Sequence, residues 1–262
     1  MSDYKDVLVT YLDILGFRQL IEKYHRTPDE ILDLLKLMKE KADVRGISIS
    51  IGNVSSQKVF TATHAFSDLV IRQVEFEEDN FLSRLGAEMT LLARIQFELL
   101  TTRQCTLIRG GISRGNFHLS NEFVFGPAMV RSYELEGLAV FPRIIIDRDL
   151  IQRMSPENRD VWDYLIGCGD DGLFFIDYLN TVMKRSLRPP NEAFKRKEEF
   201  LFAHKEAAEK KLEELSKEKE GIRQKGLWLA RYHNRVVEQA IRNDEKMIDV
   251  FSQLLITKEK LI

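Results

Sequence analysis

The chain has 262 residues, with 41 acidic against 39 basic side chains, a net charge of -2 and a pI near 6.3. That balance gives no overall electrostatic pull toward nucleic acid or an anionic membrane surface, so neither is expected as a partner. The length suits one sizeable core, or one ordinary domain with a helical appendage. At the start, MSDYKDVLVTYLDILGF carries acidic residues instead of a basic leader, and Asp13 interrupts the apolar run. It reads as neither signal peptide nor anchor, and a cytoplasmic location is expected. Cys105 and Cys168 have no second ligand nearby at metal-binding spacing and read as reduced thiols.

In chain order, Val7 to Tyr11 is a β-branched apolar run that ends at Asp13 and Gly16, and Phe17, Leu20 and Ile21 then follow at helical spacing. After Pro28, residues Ile31, Leu34, Leu35 and Met38 mark an amphipathic helix. Residues 46–56 are rich in Ser, Gly and Asn. The runs 58–66 and 69–74 then flank Ser67 and Asp68 as the arms of a hairpin would, with Asp68 at the tip. A long helix is predicted over 81–100, then a strand from Cys105 to Gly115 whose glycines suggest close backbone approach. A second hairpin over 116–125, a helix opened by Gly126-Pro127 and running through Glu136, a buried strand over 142–147 and a last strand over 173–178 complete the mixed pattern. Prominent hairpins favour a mixed or antiparallel sheet covered by helices over a parallel βαβ array.

Beyond Pro189-Pro190 the composition shifts. Residues 194–220 are dominated by Lys and Glu, as in a solvated helix, and a more apolar helix after Gly221 carries Leu227, Trp228, Val236, Val237, Ile241, Met247, Ile248, Phe251 and Leu254. The expected division is therefore a domain over 1–188 and a C-terminal helical hairpin over 189–262.

Asp13 and Asp68 stand at two strand ends, which meet if their strands are neighbours. Two carboxylates suit Mg²⁺ or Mn²⁺, hard ions that complete their shells with water and phosphate oxygens. Tyr11, Phe17 and Phe66 read as packing, and His118, His204 and His233 do not cluster with acids or cysteines as a zinc site would.

Three segments together resemble the class III adenylate/guanylate cyclase catalytic domain. Tyr11-Leu-Asp13-Ile14-Leu-Gly16-Phe17 resembles its first metal-binding segment. Phe66-Ser67-Asp68 resembles its second metal aspartate, with Ser67 where the family more often has Gly. Residues 108–115 and 126–136 resemble its glycine-bearing strand and the helix that follows. The Phe-Ser-Asp and Phe-Gly-Pro-Ala segments are most similar to the bacterial antiphage pyrimidine cyclases of Pycsar systems.

The resemblance implies a ferredoxin-like α/β sandwich with a mixed, mainly antiparallel sheet, working as a homodimer with its sites at the interface. It further implies two Mg²⁺ or Mn²⁺ ions held by Asp13, Ile14 and Asp68, and a nucleoside triphosphate, UTP or CTP, cyclised in antiphage signalling. Gly16 and Phe17 would cradle phosphates. His64, four residues before Asp68, stands where purine cyclases place a base-selecting Lys or Glu. Val130 and Glu134 stand where they carry a ribose-orienting Asn and a phosphate-binding Arg, so Arg131, Arg114, Arg109 and Arg72 are the candidate substitutes. Arg114, near a glycine-lined strand end, is preferred as the catalytic one. A purine cyclase and a cyclase-like module that binds without turnover are the rival readings.

Overall fold

The β-branched start of the chain forms the centre of a sheet. In the computed structural model, which describes residues 4–43, 61–120, 123–154, 162–185, 193–243 and 248–261, β1 (Lys5–Ile14) is sandwiched between β3 (Leu69–Glu75) and β4 (Ile108–Leu119). Both pairings are antiparallel, and β2 (Thr61–Phe66) pairs antiparallel with β3. The connections run through α1 (Phe17–Lys23) and α2 (Pro28–Ala42) between β1 and β2, and through α3 (Phe81–Leu100) between β3 and β4. Strand order β2-β3-β1-β4 with that connectivity is the split βαβ, ferredoxin-like arrangement.

The sheet continues past β4 through β6 (Ile144–Ile146), β8 (Phe174–Ile176) and β7 (Ile166–Cys168), and the two-residue β5 (Val124–Phe125) pairs with β4 at its far end. Only the β4–β6 pair is parallel among these, so the sheet is mixed and mainly antiparallel, as expected. The segments 46–56 and 186–192, with the expected boundary at 188, lie outside the described residues. Among those described, no helix is long and apolar enough to cross a membrane.

Alternation along β1 separates two faces. Leu8, Leu12 and Ile14 enter the main core with α2 and α3, while Val7 and Val9 join Ile71, Phe117 and Ala128 in a smaller cluster under α4 (Pro127–Leu138). A buried ion pair crosses the main core: Arg72 on β3 bonds Glu88 on α3 through two contacts of 2.9 Å, and Thr10 donates to the same carboxylate. On the other face α4 lies almost directly on β4. A Cβ at Gly111 would collide with Ser132 O and Leu135 Cβ. Ser113 Oγ donates to Ala128 O at 2.7 Å and Ser132 Oγ lies 3.0 Å from Val9 O, so hydroxyls lace the helix to the sheet.

Short α5 (Arg148–Gln152) and α6 (Tyr178–Arg185) lead to two long helices, α7 (Ala193–Leu215) and α8 (Glu220–Asn243), followed by α9 (Ile248–Phe251). Gly221 falls in the first turn of α8, and the break comes before it. The expectation of a solvated Lys/Glu helix needs correction. Leu201, His204 and Ala208 on α7 are fully buried, at helical spacing, in the same core as the sheet residues. Leu201 is one of the sparse apolar positions in the Lys/Glu run, and Ala and His, which do not mark a core face, form the rest of the stripe.

A proton-bearing chain runs through this packing: Tyr178 Oη–His204 Nε2 at 2.6 Å, His204 Nδ1–His233 Nδ1 at 3.1 Å, and His233 Nε2–Leu254 O at 2.8 Å. His233 must donate to the carbonyl, so its Nδ1 accepts from His204, whose Nε2 accepts the tyrosine proton. Both rings are then neutral. Burial holds His204 well below the usual histidine range and brings His233 down to about 4.

Two outcomes follow from this packing. Gly111→Ala should push α4 off β4 and cost about 1–3 kcal/mol in a urea unfolding experiment, as overpacking does; an unchanged midpoint would remove the close approach as a constraint. The histidines ionise more readily unfolded than folded, so their contribution is present above about pH 6.5 and is lost as pH falls toward 4. His233 alone should account for roughly 3 kcal/mol of that loss. Unfolding midpoints measured across this range should fall for the wild type, and less steeply for His233→Gln.

Candidate active site

β1 carries Asp13 near its end, on the face that α4 covers, and the register sets it opposite Leu69 of β3 and Arg109 of β4. Asp68 precedes Leu69 in the two-residue turn between β2 and β3. Its neighbour Ser67 has φ 55°, a left-handed conformation that costs a non-glycine residue about 1–2 kcal/mol and explains why glycine suits this position. The two carboxylates are thereby brought together, as the sequence led us to expect. Burial raises the Asp13 pKa, and the adjacent Asp68 adds to it, against the lowering effect of Arg109.

Arg109 is the cation of the cluster. Its Nε lies 3.1 Å from Asp13 Oδ2 and 2.6 Å from Oε1 of Glu136, which comes from the last turn of α4. The Glu136 contact is an ion contact without hydrogen-bond alignment, leaving that buried oxygen without a hydrogen-bond partner. Burial raises the Glu136 pKa; Arg109 lowers it, and Asp13 raises it further. Tyr11, two residues before Asp13 and so on the same face, stacks edge-on against Tyr133 of α4 at 5.4 Å. Its phenol pKa is raised by burial, then by Glu136 and Asp13.

Asp13 and Glu136 therefore share one guanidinium, with Asp68 beside Asp13. Asp13 and Asp68 offer hard carboxylate oxygens of the kind Mg²⁺ or Mn²⁺ takes. Among the described residues, His, Cys, Asp and Glu form no group of three that could hold a metal by themselves, so two carboxylates would be the protein's share of side-chain ligands. The Ile14 side chain is buried in the main core, so only its main chain can face a cation. Gly16 takes φ 77° between β1 and α1, and Phe17 packs on the core edge. Their contribution too is restricted to the backbone.

His64 on β2 is opposite Ile71, which is opposite Tyr11, so it shares the face of Asp13. Phe66 does not pack as expected: it is 81% exposed at the hairpin tip.

Arg114 does not join the cluster, and the catalytic expectation for it is corrected here. It lies five residues from Arg109, an odd number, and so on the opposite face, about 17 Å along the strand at the usual rise. It is held by Asp6 at 2.7 Å and by Glu78, over the rings of Phe76 and Phe81. Arg72 is committed to Glu88, and Arg131 holds Asp147 through two hydrogen bonds. Of the four candidate arginines, only Arg109 meets the aspartates.

No protein-family model matches the chain, and no curated protein matches it by sequence. Among solved structures, a guanylyl cyclase, Cya2, superposes with a TM-score of 0.43 at 13% identity over 67% of this chain and 92% of that one. A class III adenylyl cyclase-like ATP-binding protein from Pseudomonas aeruginosa gives 0.43 at 12% identity, over 68% of this chain and 40% of that one. Likenesses of this degree carry no statement about activity.

Arg109→Ala would leave half-buried carboxylates without a counter-charge and should destabilise the fold by about 1–3 kcal/mol in urea unfolding. Adding Asp13→Asn should recover part of that loss, whereas simple additivity of the two changes would show that the pair is not coupled.

Proposed function

We propose that the chain is a divalent-metal-dependent nucleotide cyclase that converts a pyrimidine nucleoside triphosphate, UTP or CTP, into its 3′,5′-cyclic monophosphate and pyrophosphate. The observation that carries this reading is the pairing of Asp13 and Asp68, from a strand end and a hairpin tip, beside Arg109 on a sheet face that α4 covers only in part. The motifs around these residues resemble class III cyclases, and the Phe66-Ser67-Asp68 and Phe125-Gly126-Pro127-Ala128 segments resemble their antiphage pyrimidine members. A role in antiphage signalling is proposed on that resemblance.

Asp13 and Asp68, with the main chain at Ile14, would hold two Mg²⁺ or Mn²⁺ ions, which supply Lewis-acid polarisation of the phosphate oxygens and of the ribose 3′-hydroxyl. The main chain from Gly16 to Phe17 borders the phosphates. In the reaction the 3′-oxygen forms a bond to the α-phosphorus, the bond to the β-bridging oxygen breaks, the hydroxyl proton passes to water and pyrophosphate departs with the electron pair. Arg109, which bonds Asp13, would meet charge that develops on the phosphates. His64, on the same face, offers one imidazole donor or acceptor to a base edge.

Exposed Phe66, Val130 and Tyr133 give this half of the molecule apolar surface on the hairpin and α4, which a second copy of the chain would cover. We therefore take the working form to be a homodimer. A second reading, nucleotide binding without turnover, is favoured by one observation: Arg131, the exposed arginine on α4, is already engaged by Asp147 and Glu134.

Incubation of the purified chain with ATP, GTP, CTP and UTP plus Mn²⁺, with products identified by mass, separates these readings. A cyclic pyrimidine monophosphate that disappears in Asp68→Asn is expected. A cyclic purine product would overturn the substrate assignment, and no product together with retained nucleotide binding would support the second reading. Mn²⁺ should also raise the melting temperature of the wild type, by the equivalent of about 2.7 kcal/mol at a hundredfold excess over its dissociation constant. That rise should be absent in Asp68→Asn.

A further inference from the structure

The two C-terminal helices do more than pack on the sheet. Where α7 and α8 meet the turn between β1 and α1 they enclose a cavity of about 310 Å³, whose walls include Gly16, Lys23, Lys211, Glu214 and Lys225. Its lining begins at Leu15, two residues after Asp13. Two of its lysines are already engaged: Lys211 bonds Glu214 at 2.7 Å, and Lys23 lies 3.9 Å from the same carboxylate. Lys225, in the second turn of α8, is half-buried, and among the described residues no carboxylate pairs with it.

The Lys225 ammonium also belongs electrically to the metal-side cluster. Burial and then Arg109 press its pKa down, and Asp13 pulls it back up. A half-buried lysine without an ion pair gives up hydration that Asp13, acting at a distance, returns only in part. An anion of several charges would return it, and the cavity wall at Leu15 and Gly16 directly follows Asp13 and Ile14 in the chain.

We propose that Lys225 binds the terminal phosphates of the nucleoside triphosphate, and the pyrophosphate that leaves, so that the C-terminal helices complete the substrate site of their own chain. The inference rests on the cyclase reading for the identity of the substrate, but the polyphosphate site itself does not. In the reaction Lys225 forms and breaks no covalent bond. It holds the leaving group by a charge-assisted contact, of the kind that changes affinity by roughly ten-fold or more when removed.

The test uses the full chain and inorganic pyrophosphate, titrated calorimetrically without nucleotide, in wild type, Lys225→Ala, Lys225→Arg and, as a surface control, Lys217→Ala. Pyrophosphate affinity should fall about ten-fold in Lys225→Ala, recover in part in Lys225→Arg and stay unchanged in Lys217→Ala. Melting temperatures of all four confirm that the folded state is compared. Where turnover is measured, Lys225→Ala should raise KM for the triphosphate more than it lowers kcat and weaken inhibition by pyrophosphate. Wild type that binds no pyrophosphate, or Lys225→Ala that binds it equally well, overturns the proposal. Lys225-dependent binding in a chain that makes no cyclic product would retain the site and reject only the cyclase reading.

Discussion

The closeness of α4 to β4 is the constraint on which the arrangement of this protein depends. Gly111 permits it sterically, and the hydroxyls of Ser113 and Ser132 fill the seam with hydrogen bonds to Ala128 O and Val9 O instead of side-chain bulk. A helix at ordinary distance from a sheet stands off by the length of a side chain from each partner. Here that gap is nearly absent, so Glu136 at the end of α4 reaches Arg109, and Tyr133 reaches Tyr11. The same helix shares its cluster with Ile71 of β3 but with no residue of β2, where His64 and the hairpin tip stay partly exposed.

Charge on this face is deliberately unbalanced, while charge in the main core is matched. Arg72 and Glu88 neutralise one another through two hydrogen bonds, and Thr10 takes up a further lone pair. Around Arg109 two carboxylates, Asp13 and Glu136, share one guanidinium with Asp68 alongside, and burial raises the pKa of both. A fold gains nothing by gathering like charges in a half-desolvated place, and such gatherings are characteristic of sites that receive a cation or proton. Lys225 stands on the adjoining cavity as a half-buried cation that, among the described residues, no carboxylate pairs with directly.

Much of this was legible in the sequence, for local reasons. Strand β1, the hairpin around Ser67 and Asp68, and α3 over 81–100 follow from alternation, turn chemistry and helical period, which act over a few residues. Asp13 and Asp68 could be paired because each sits where its element ends. The choice between Arg109 and Arg114 needed the pairing of β1 with β4, a contact across about a hundred residues, and alternation alone says only that the two point to opposite faces. The glycines at 110 and 111 announce close approaches without naming their objects, β1 at Gly110 and α4 at Gly111. Strand β7, three residues with Gly167 under the Phe175 ring, has too little pattern to be seen. The buried stripe of α7 was hidden by its chemistry, since Ala208 and His204 do not read as core.

Phe251, Leu254 and Ile256 are buried in the same cluster as Leu8 and Leu12. One continuous core therefore joins β1 to residues in the 250s, and it is complete only when both are present. Until they emerge, the nascent polypeptide keeps an open apolar flank, the condition in which chaperones hold a chain and proteases dispose of interrupted products. A broken message would thus yield a fragment that the cell clears, and only a ribosome that has passed this late stretch delivers a molecule able to close around its carboxylates.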